Sequence, residues 1–210
     1  MVSKRYLFPM LSSEAKSAAN LAGLLRHLAR LSEPDTPLEG LTPVQWSALR
    51  YFAQANRFSR TVSAFATYNA TTRGTASQTI KALEGAGYLT RKPRPEDGRS
   101  ARIELTEAGW AKLSDDPAGA LVRAIETLPE RARESLDANL ERLLARVGDE
   151  RGKDRFGTCP NCAHLERCPA TEGEATGYYC YLAGEYLEPG EIDALCVTFT
   201  PHGPEGEPGP

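Results

Sequence analysis

The sequence predicts a mainly α fold with a small β wing, followed by a small cysteine-rich lobe. Three observations lead there. Apolar residues recur at helical spacing through most of the first 150 positions. One stretch, LTRKPRPEDGRSARIELT, reads instead as two short strand-like arms around a Pro/Asp/Gly turn. All five cysteines of the 210 residues fall between Cys159 and Cys196. Hydrophobic content of 40% and charged content of 25% are those of an ordinary globular chain. No apolar run approaches the roughly 20 residues of a spanning helix. The N-terminal MVSKRYLFPMLSSEAKSAANLAG lacks the apolar region and cleavage site of a secretory signal. The expectation is a cytoplasmic chain with no membrane association.

The elements follow in order. Ser12–Ser32 is a helix with Ala18, Leu21, Leu24, Leu25, Leu28 and Leu31 on its apolar side, capped by Ser12 or Ser13. EPDTPLEG is a loop. Thr42-Pro43 opens a second helix, with Val44, Trp46, Leu49, Tyr51 and Phe52 as its apolar residues. A short helix spans Arg60–Tyr68, and another runs from about Thr71 to Ala86, closed by Gly87 as a C-terminal glycine. After the hairpin, Thr106 starts a further helix, and Leu128–Val147 is a last long one. GDERGKDRFG is a polar linker, and HGPEGEPGP is too rich in Pro and Gly to fold. The domain reading is 1–148 for the helical unit, 149–200 for the cysteine lobe and 201–210 for a tail.

Net charge is only −3, but the charge is segregated: TRKPRP and GRSAR are basic, while the C-terminal end is acidic. The order helix, helix, helix, basic hairpin, helix is that of a winged helix-turn-helix with a long helical frame. A helix fits the major groove, where small polar side chains reach base edges. Thr71, Thr72, Arg73, Thr75, Ser77, Gln78 and Lys81 lie on the candidate reading helix. The hairpin presents Arg91, Lys92, Arg94, Arg99 and Arg102 against the acids Glu96 and Asp97, a composition suited to the DNA backbone and the minor groove.

LTPVQWSALRYF and TTRGTASQTIKALEGAGYLTRKPRPEDGRSARIELTEAG resemble the MarR family of bacterial transcription regulators, most specifically in the DGR turn and the LTEAG exit of the wing. The resemblance covers roughly Ser12–Val147. It implies a homodimer built from the terminal helices and binding to a pseudo-palindromic double-stranded DNA operator. It also implies that Asp97 holds the wing turn while Arg99 meets the minor groove. RTVSAFATYNA departs from the family's LAERL-like pattern, with Phe65 and Tyr68 as the residues to fill that role.

The cysteine spacing is Cys159-x2-Cys162-x5-Cys168-x11-Cys180-x15-Cys196. A Cys-x2-Cys knuckle sets two thiolates on one side of a tight turn, ready for a metal centre, and Pro160 and Asn161 suit that turn. In a reducing compartment such a cluster reads as metal binding before disulfides. Structural zinc usually takes two such knuckles; one knuckle with scattered single cysteines favours an iron–sulfur cluster, two-iron or four-iron. Cys-x2-Cys-x5-Cys with one distant cysteine resembles the motif of FNR-type oxygen-sensing regulators and WhiB-like proteins. FGTCPNCAHL followed by CYLAGEYLEPGEIDALC resembles a C-terminal extension of some MarR-like proteins. That second resemblance selects Cys159, Cys162, Cys180 and Cys196, whereas the FNR-like spacing keeps Cys168. His164 is a further candidate, although a histidine so placed is more often a surface or supporting group. Phe156, Tyr178, Tyr179, Tyr181, Tyr186 and Phe199 are available to limit water around a site or to pack the lobe on the last helix.

The expected function is a dimeric regulator whose cluster senses redox state, oxygen or iron and changes operator binding through the last helix. The alternatives are a MarR-like regulator with structural zinc and a small aromatic effector, an oxidant-sensing thiol switch, and a free-thiol interaction tail. An enzyme fits poorly: there is no nucleotide-binding glycine loop, and His27, His164 and His202 are far apart in sequence.

Overall fold

The computed structural model describes residues 13–33, 40–93, 101–168, 177–188 and 190–202. Its helices are α1 (Ser13–Leu31), α2 (Pro43–Gln54), α3 (Val62–Tyr68), α4 (Arg73–Gly85), α5 (Glu107–Leu113), α6 (Gly119–Glu126) and α7 (Glu130–Glu150). Strands β1 (Leu89–Pro93) and β2 (Ala101–Leu105) form an antiparallel hairpin pairing Leu89 with Leu105 and Pro93 with Ala101. Strands β3 (Leu165–Cys168), β4 (Gly177–Cys180) and β5 (Glu185–Tyr186) form a separate antiparallel sheet in the order β3-β4-β5. No described helix is long and apolar enough to cross a membrane.

Local chemistry explains the boundaries. Pro43 occupies the first position of α2, and the Thr42 N–H donates to Gln45 Oε1 at 2.8 Å. Thr61 and Thr72 cap α3 and α4, accepting from the N–H groups of Ala64 and Thr75. The turn between α3 and α4 places Ala70 at φ 49°, a left-handed conformation closed by the Thr71 N–H on Ala66 O. Gly87, at φ 79°, ends α4: its N–H donates to Glu84 O, and that of Tyr88 to Leu83 O.

Trp46, Leu49, Tyr51 and Phe52 of α2 pack with Phe65 of α3, Ile80 and Leu83 of α4, and Ile103 of β2. Phe65 and Ile103 are fully buried, so Phe65 supplies the apolar anchor that the unusual third-helix sequence required. Tyr68 stacks on Tyr51 with ring centroids 4.9 Å apart. Arg50 binds Asp116 through two hydrogen bonds of 2.8 and 2.6 Å, fixing the segment after α5 to α2. In contrast, α1, α6 and α7 leave apolar residues uncovered. Leu21, Leu24 and Leu31 of α1 are each more than half exposed, as are Val122 of α6 and Leu144 of α7.

The structure corrects several expectations. Thr71 and Thr72 precede α4 and do not lie on it, because Thr72 spends its hydroxyl as the cap. Helix α6 and the β3-β4-β5 sheet are additional elements. The wing-tip residues Arg94, Asp97 and Arg99, and all but the first two residues of the 201–210 tail, lie outside the described residues.

The wing exit has a steric requirement. Thr106 Oγ1 donates to Gly87 O and accepts from Gly109 N–H, drawing α5 against Tyr88. A Cβ at Gly109 would stand 2.2 Å from Tyr88 O, a backbone atom that cannot swing aside. Replacing glycine with alanine in a helix gains about 1 kcal/mol; overpacking against backbone costs about 3 kcal/mol. Gly109→Ala is therefore expected to lose roughly 2 kcal/mol net, measured as a lowered denaturation midpoint; an unchanged or raised midpoint contradicts the packing account.

Candidate functional site

Two sites emerge. The first is the outer face of α4. Ala76, Thr79, Ile80 and Leu83 are buried, so Arg73, Thr75, Gln78 and Lys81 are left exposed, with Ser77 half-buried. Gly74, Gln78 and Lys81 succeed one another at i, i+4 and i+7, forming one polar stripe beside a position without a side chain. The wing cations are less available than their number suggests. Arg91 pairs with Glu84 of α4 at 2.6 Å and Lys92 with Glu104 of β2 at 2.5 Å. Arg102 is half-buried, and its Nε has no hydrogen-bond partner.

The second site is a cavity walled by cysteines. Cys159 opens a single 3-10 turn, and Cys162 follows it, its N–H bonded to Cys159 O at 2.9 Å. Cys180 ends β4. Cys196 pairs with Gly157 through two backbone hydrogen bonds of 2.8 and 3.1 Å. All four line one cavity, together with Asn56, Phe58, His164, Leu165, Leu182, Leu187 and Thr198. Cys168 is not among the lining residues; it sits at the end of β3, opposite Gly177. All five cysteines are free thiols. Among the described residues, no three His, Cys, Asp or Glu side chains meet in the geometry of a single metal ion.

The walls carry no lysine or arginine side chain. Cys159, Cys162 and Cys196 are buried. Burial, reinforced by Cys196, Cys162, Cys180 and Glu191, pushes the Cys159 thiol up to about 12. Cys196 Sγ lies 3.3 Å from Thr198 Oγ1, and His164 Nε2 lies 3.1 Å from Thr200 Oγ1.

The lobe is built onto the helical unit. Asn56 N–H donates to Leu195 O and Leu195 N–H to Gln54 O, both at 2.9 Å. Val197 N–H donates to Ser59 Oγ at 3.1 Å. Arg57 reaches Glu191 at 2.8 Å, Glu185 at 3.0 Å and Glu188 at 3.2 Å, and donates to the Tyr186 carbonyl. Phe156 packs edge-on against Tyr68 of α3, with centroids 4.9 Å apart. The Tyr51 phenol is held protonated well above its usual range by burial and by the neighbouring Cys196. These contacts fall on the α2–α3 turn and on α3. The aromatics divide accordingly: Phe156 faces α3, Phe199 covers Gly157, and Tyr179 meets Tyr181 and Tyr186 within the lobe. Asn56, Arg57, Phe58 and Thr198 escape a reading of the sequence, because nothing local marks a turn residue that will meet a segment some 130 positions later.

Residues 39–100 match the family model described as MarR family. That segment runs from just before α2 into the wing hairpin and is similar to the MarR family. AbsC, a MarR family transcriptional regulator from Streptomyces coelicolor, is 22% identical with a TM-score of 0.53, the match covering 68% of this chain and 98% of that one. A MarR transcriptional regulator from Methanosarcina mazei Go1 is 21% identical with a TM-score of 0.47, covering 62% of this chain and 95% of that one. An S. aureus MepR–DNA complex is 21% identical with a TM-score of 0.43, covering 61% and 96%. The AbsC likeness bears on the fold of the MarR-type unit. No curated protein matches the chain. The cysteine lobe lies beyond the segment that the MarR model matches.

A thiol titrating near 12 is protonated at neutral pH and gains nucleophilicity only as pH rises toward that value. In metal-free, reduced protein, Cys159 is expected to resist iodoacetamide at pH 8, as read by mass-spectrometric mapping. Rapid labelling of Cys159 in the folded chain contradicts this.

Proposed function

We propose that this chain is a homodimeric, DNA-binding transcription regulator whose C-terminal cysteines hold an iron–sulfur cluster that sets its affinity for a pseudo-palindromic operator. The observation that carries the proposal is the convergence of Cys159, Cys162, Cys180 and Cys196, from three separate places in the chain, on one cavity beside a MarR-type winged helix.

The chemistry of the donor set supports this reading: four thiols share a largely apolar cavity with no lysine or arginine in its lining. An unaccompanied Cys159 thiolate is unfavourable there, and a metal centre is the partner that makes it favourable. One knuckle plus two single cysteines suits a cluster, and a cluster supplies one-electron redox chemistry and sensitivity to oxidants. Cys159, Cys162, Cys180 and Cys196 are the proposed ligands; Leu165, Leu187 and Phe58 would limit water; the Thr198 hydroxyl lies within hydrogen-bond distance of Cys196 sulfur. Zinc on the same thiols would be a structural staple, and metal analysis separates the two.

The exposed stripe of α4 suits base edges, and the cap at Thr72 leaves the N-terminal end of that helix facing outward for phosphate. The uncovered leucines of α1 and the apolar residues of α6 and α7 support a homodimer, because an amphipathic helix left bare in one chain needs a second to cover it.

Single Ser substitutions at Cys159, Cys162, Cys180 or Cys196 are expected to lower iron content several-fold, while Cys168→Ser keeps it. A variant series in which Cys168→Ser loses the metal overturns the ligand set. Duplexes selected from a random library by the loaded protein provide the DNA test. Loaded and metal-stripped protein should differ by about tenfold or more in Kd at fixed salt, the range of a typical coupling free energy. Equal affinities would leave the metal without a regulatory part, and the absence of any selected duplex would overturn the DNA-binding proposal.

A further inference from the structure

The α2–α3 turn, residues 55–60, belongs to three structures at once. Asn56 and Phe58 line the cysteine cavity. Asn56 and Ser59 hydrogen-bond Leu195 and Val197, which flank Cys196 in sequence. At its far end the Arg60 carbonyl accepts the Ile103 N–H of strand β2 at 2.8 Å, and Arg60 Nε returns to Ala55 O at 2.9 Å. Ile103 is fully buried at the root of the wing. Only residues 57–59 therefore separate Asn56, in the wall of the cavity, from the Arg60 carbonyl that holds the wing.

We propose that this turn couples the occupancy of the cysteine site to the wing, and that Arg57 is the positioning residue that holds the lobe on the turn. The proposal rests on the metal reading above and names its route. Arg57 has a side chain only 12% exposed and meets three carboxylates, Glu185, Glu188 and Glu191, that follow Cys180 and precede Cys196. Its guanidinium thereby fixes the segment between two of the proposed ligands. Glu185 also pairs with Cys180 in the β4–β5 register, so a shift of that strand reaches Arg57 directly. A centre gripping Cys180 and Cys196 restrains the segment Arg57 holds. Its removal frees the segment, and the freedom passes to Asn56, Arg60 and Ile103. The last helix, by comparison, meets the lobe segment through the ion pair of Asp149 with Arg155 at its end.

Hydrogen exchange on the full chain tests this. After chelator treatment of reduced protein, the amides of Asn56, Leu195 and Ile103 are expected to exchange roughly tenfold faster than in loaded protein, while α7 stays unchanged. In loaded protein, Arg57→Ala should reproduce the increase at Asn56 and Leu195, since removing one partner of a shielded charge cluster leaves the others unpaired. Arg57→Lys should restore part of the protection. If Arg57→Ala fails to fold, Glu191→Gln serves in its place. An effect of metal removal confined to residues 157–201, or one appearing in α7 and not at Ile103, overturns the coupling. Should the isolated protein hold no metal, the metal reading falls, and Arg57→Ala against wild type decides the remaining claim: unchanged exchange at Leu195 and Ile103 overturns it.

Discussion

At Gln54 and Asn56 the backbone of the winged helix pairs with that of Leu195, the Ser59 hydroxyl accepts the Val197 N–H, and Arg57 closes over the junction onto three carboxylates. Remove that junction and the cysteine lobe keeps its own three-stranded sheet but loses one wall of its cavity, since Asn56 and Phe58 come from the winged helix. The winged helix in turn loses the cover of Leu195 and Val197 and the ring contact of Phe156 with Tyr68. Tyr51, Phe52 and Phe65 still pack on one another, with centroids 5.1–5.7 Å apart. The dependence is thus asymmetric. The helical unit keeps most of its core, whereas the cavity is complete only when the lobe is docked.

The asymmetry follows from size. The lobe is small, and Tyr181, Leu182 and Tyr186 remain exposed. A piece this small cannot bury enough surface to hold four thiols in place by packing alone. It borrows order from a neighbour, and in the proposed function it also borrows order from a metal centre.

Much of the helical unit was legible in the sequence because its signals are local. Thr42-Pro43, the helical spacing of Trp46, Leu49 and Phe52, and Gly87 at positive φ each mark an element from a few neighbouring residues. A resemblance singled out Cys159, Cys162, Cys180 and Cys196 in the sequence, and in the structure those four line one cavity while Cys168 does not. The docking of the lobe was not legible. Arg57 looks like any loop arginine, and its partners Glu185, Glu188 and Glu191 look like any acidic surface, until the fold sets them face to face. Strands of two to four residues, such as β5 and β4, are too short for alternation to show. Neither did the charge count of the wing reveal that Arg91 and Lys92 are already paired with Glu84 and Glu104.

The central claim is that the four cavity thiols exist to hold an iron–sulfur cluster. It is tested most directly by purifying the full chain without oxygen, recording its visible absorption, and counting iron, sulfide and zinc on the same sample. The account predicts a brown protein with broad visible absorption and matching iron and sulfide. A colourless protein carrying stoichiometric zinc, or no metal at all, would contradict it.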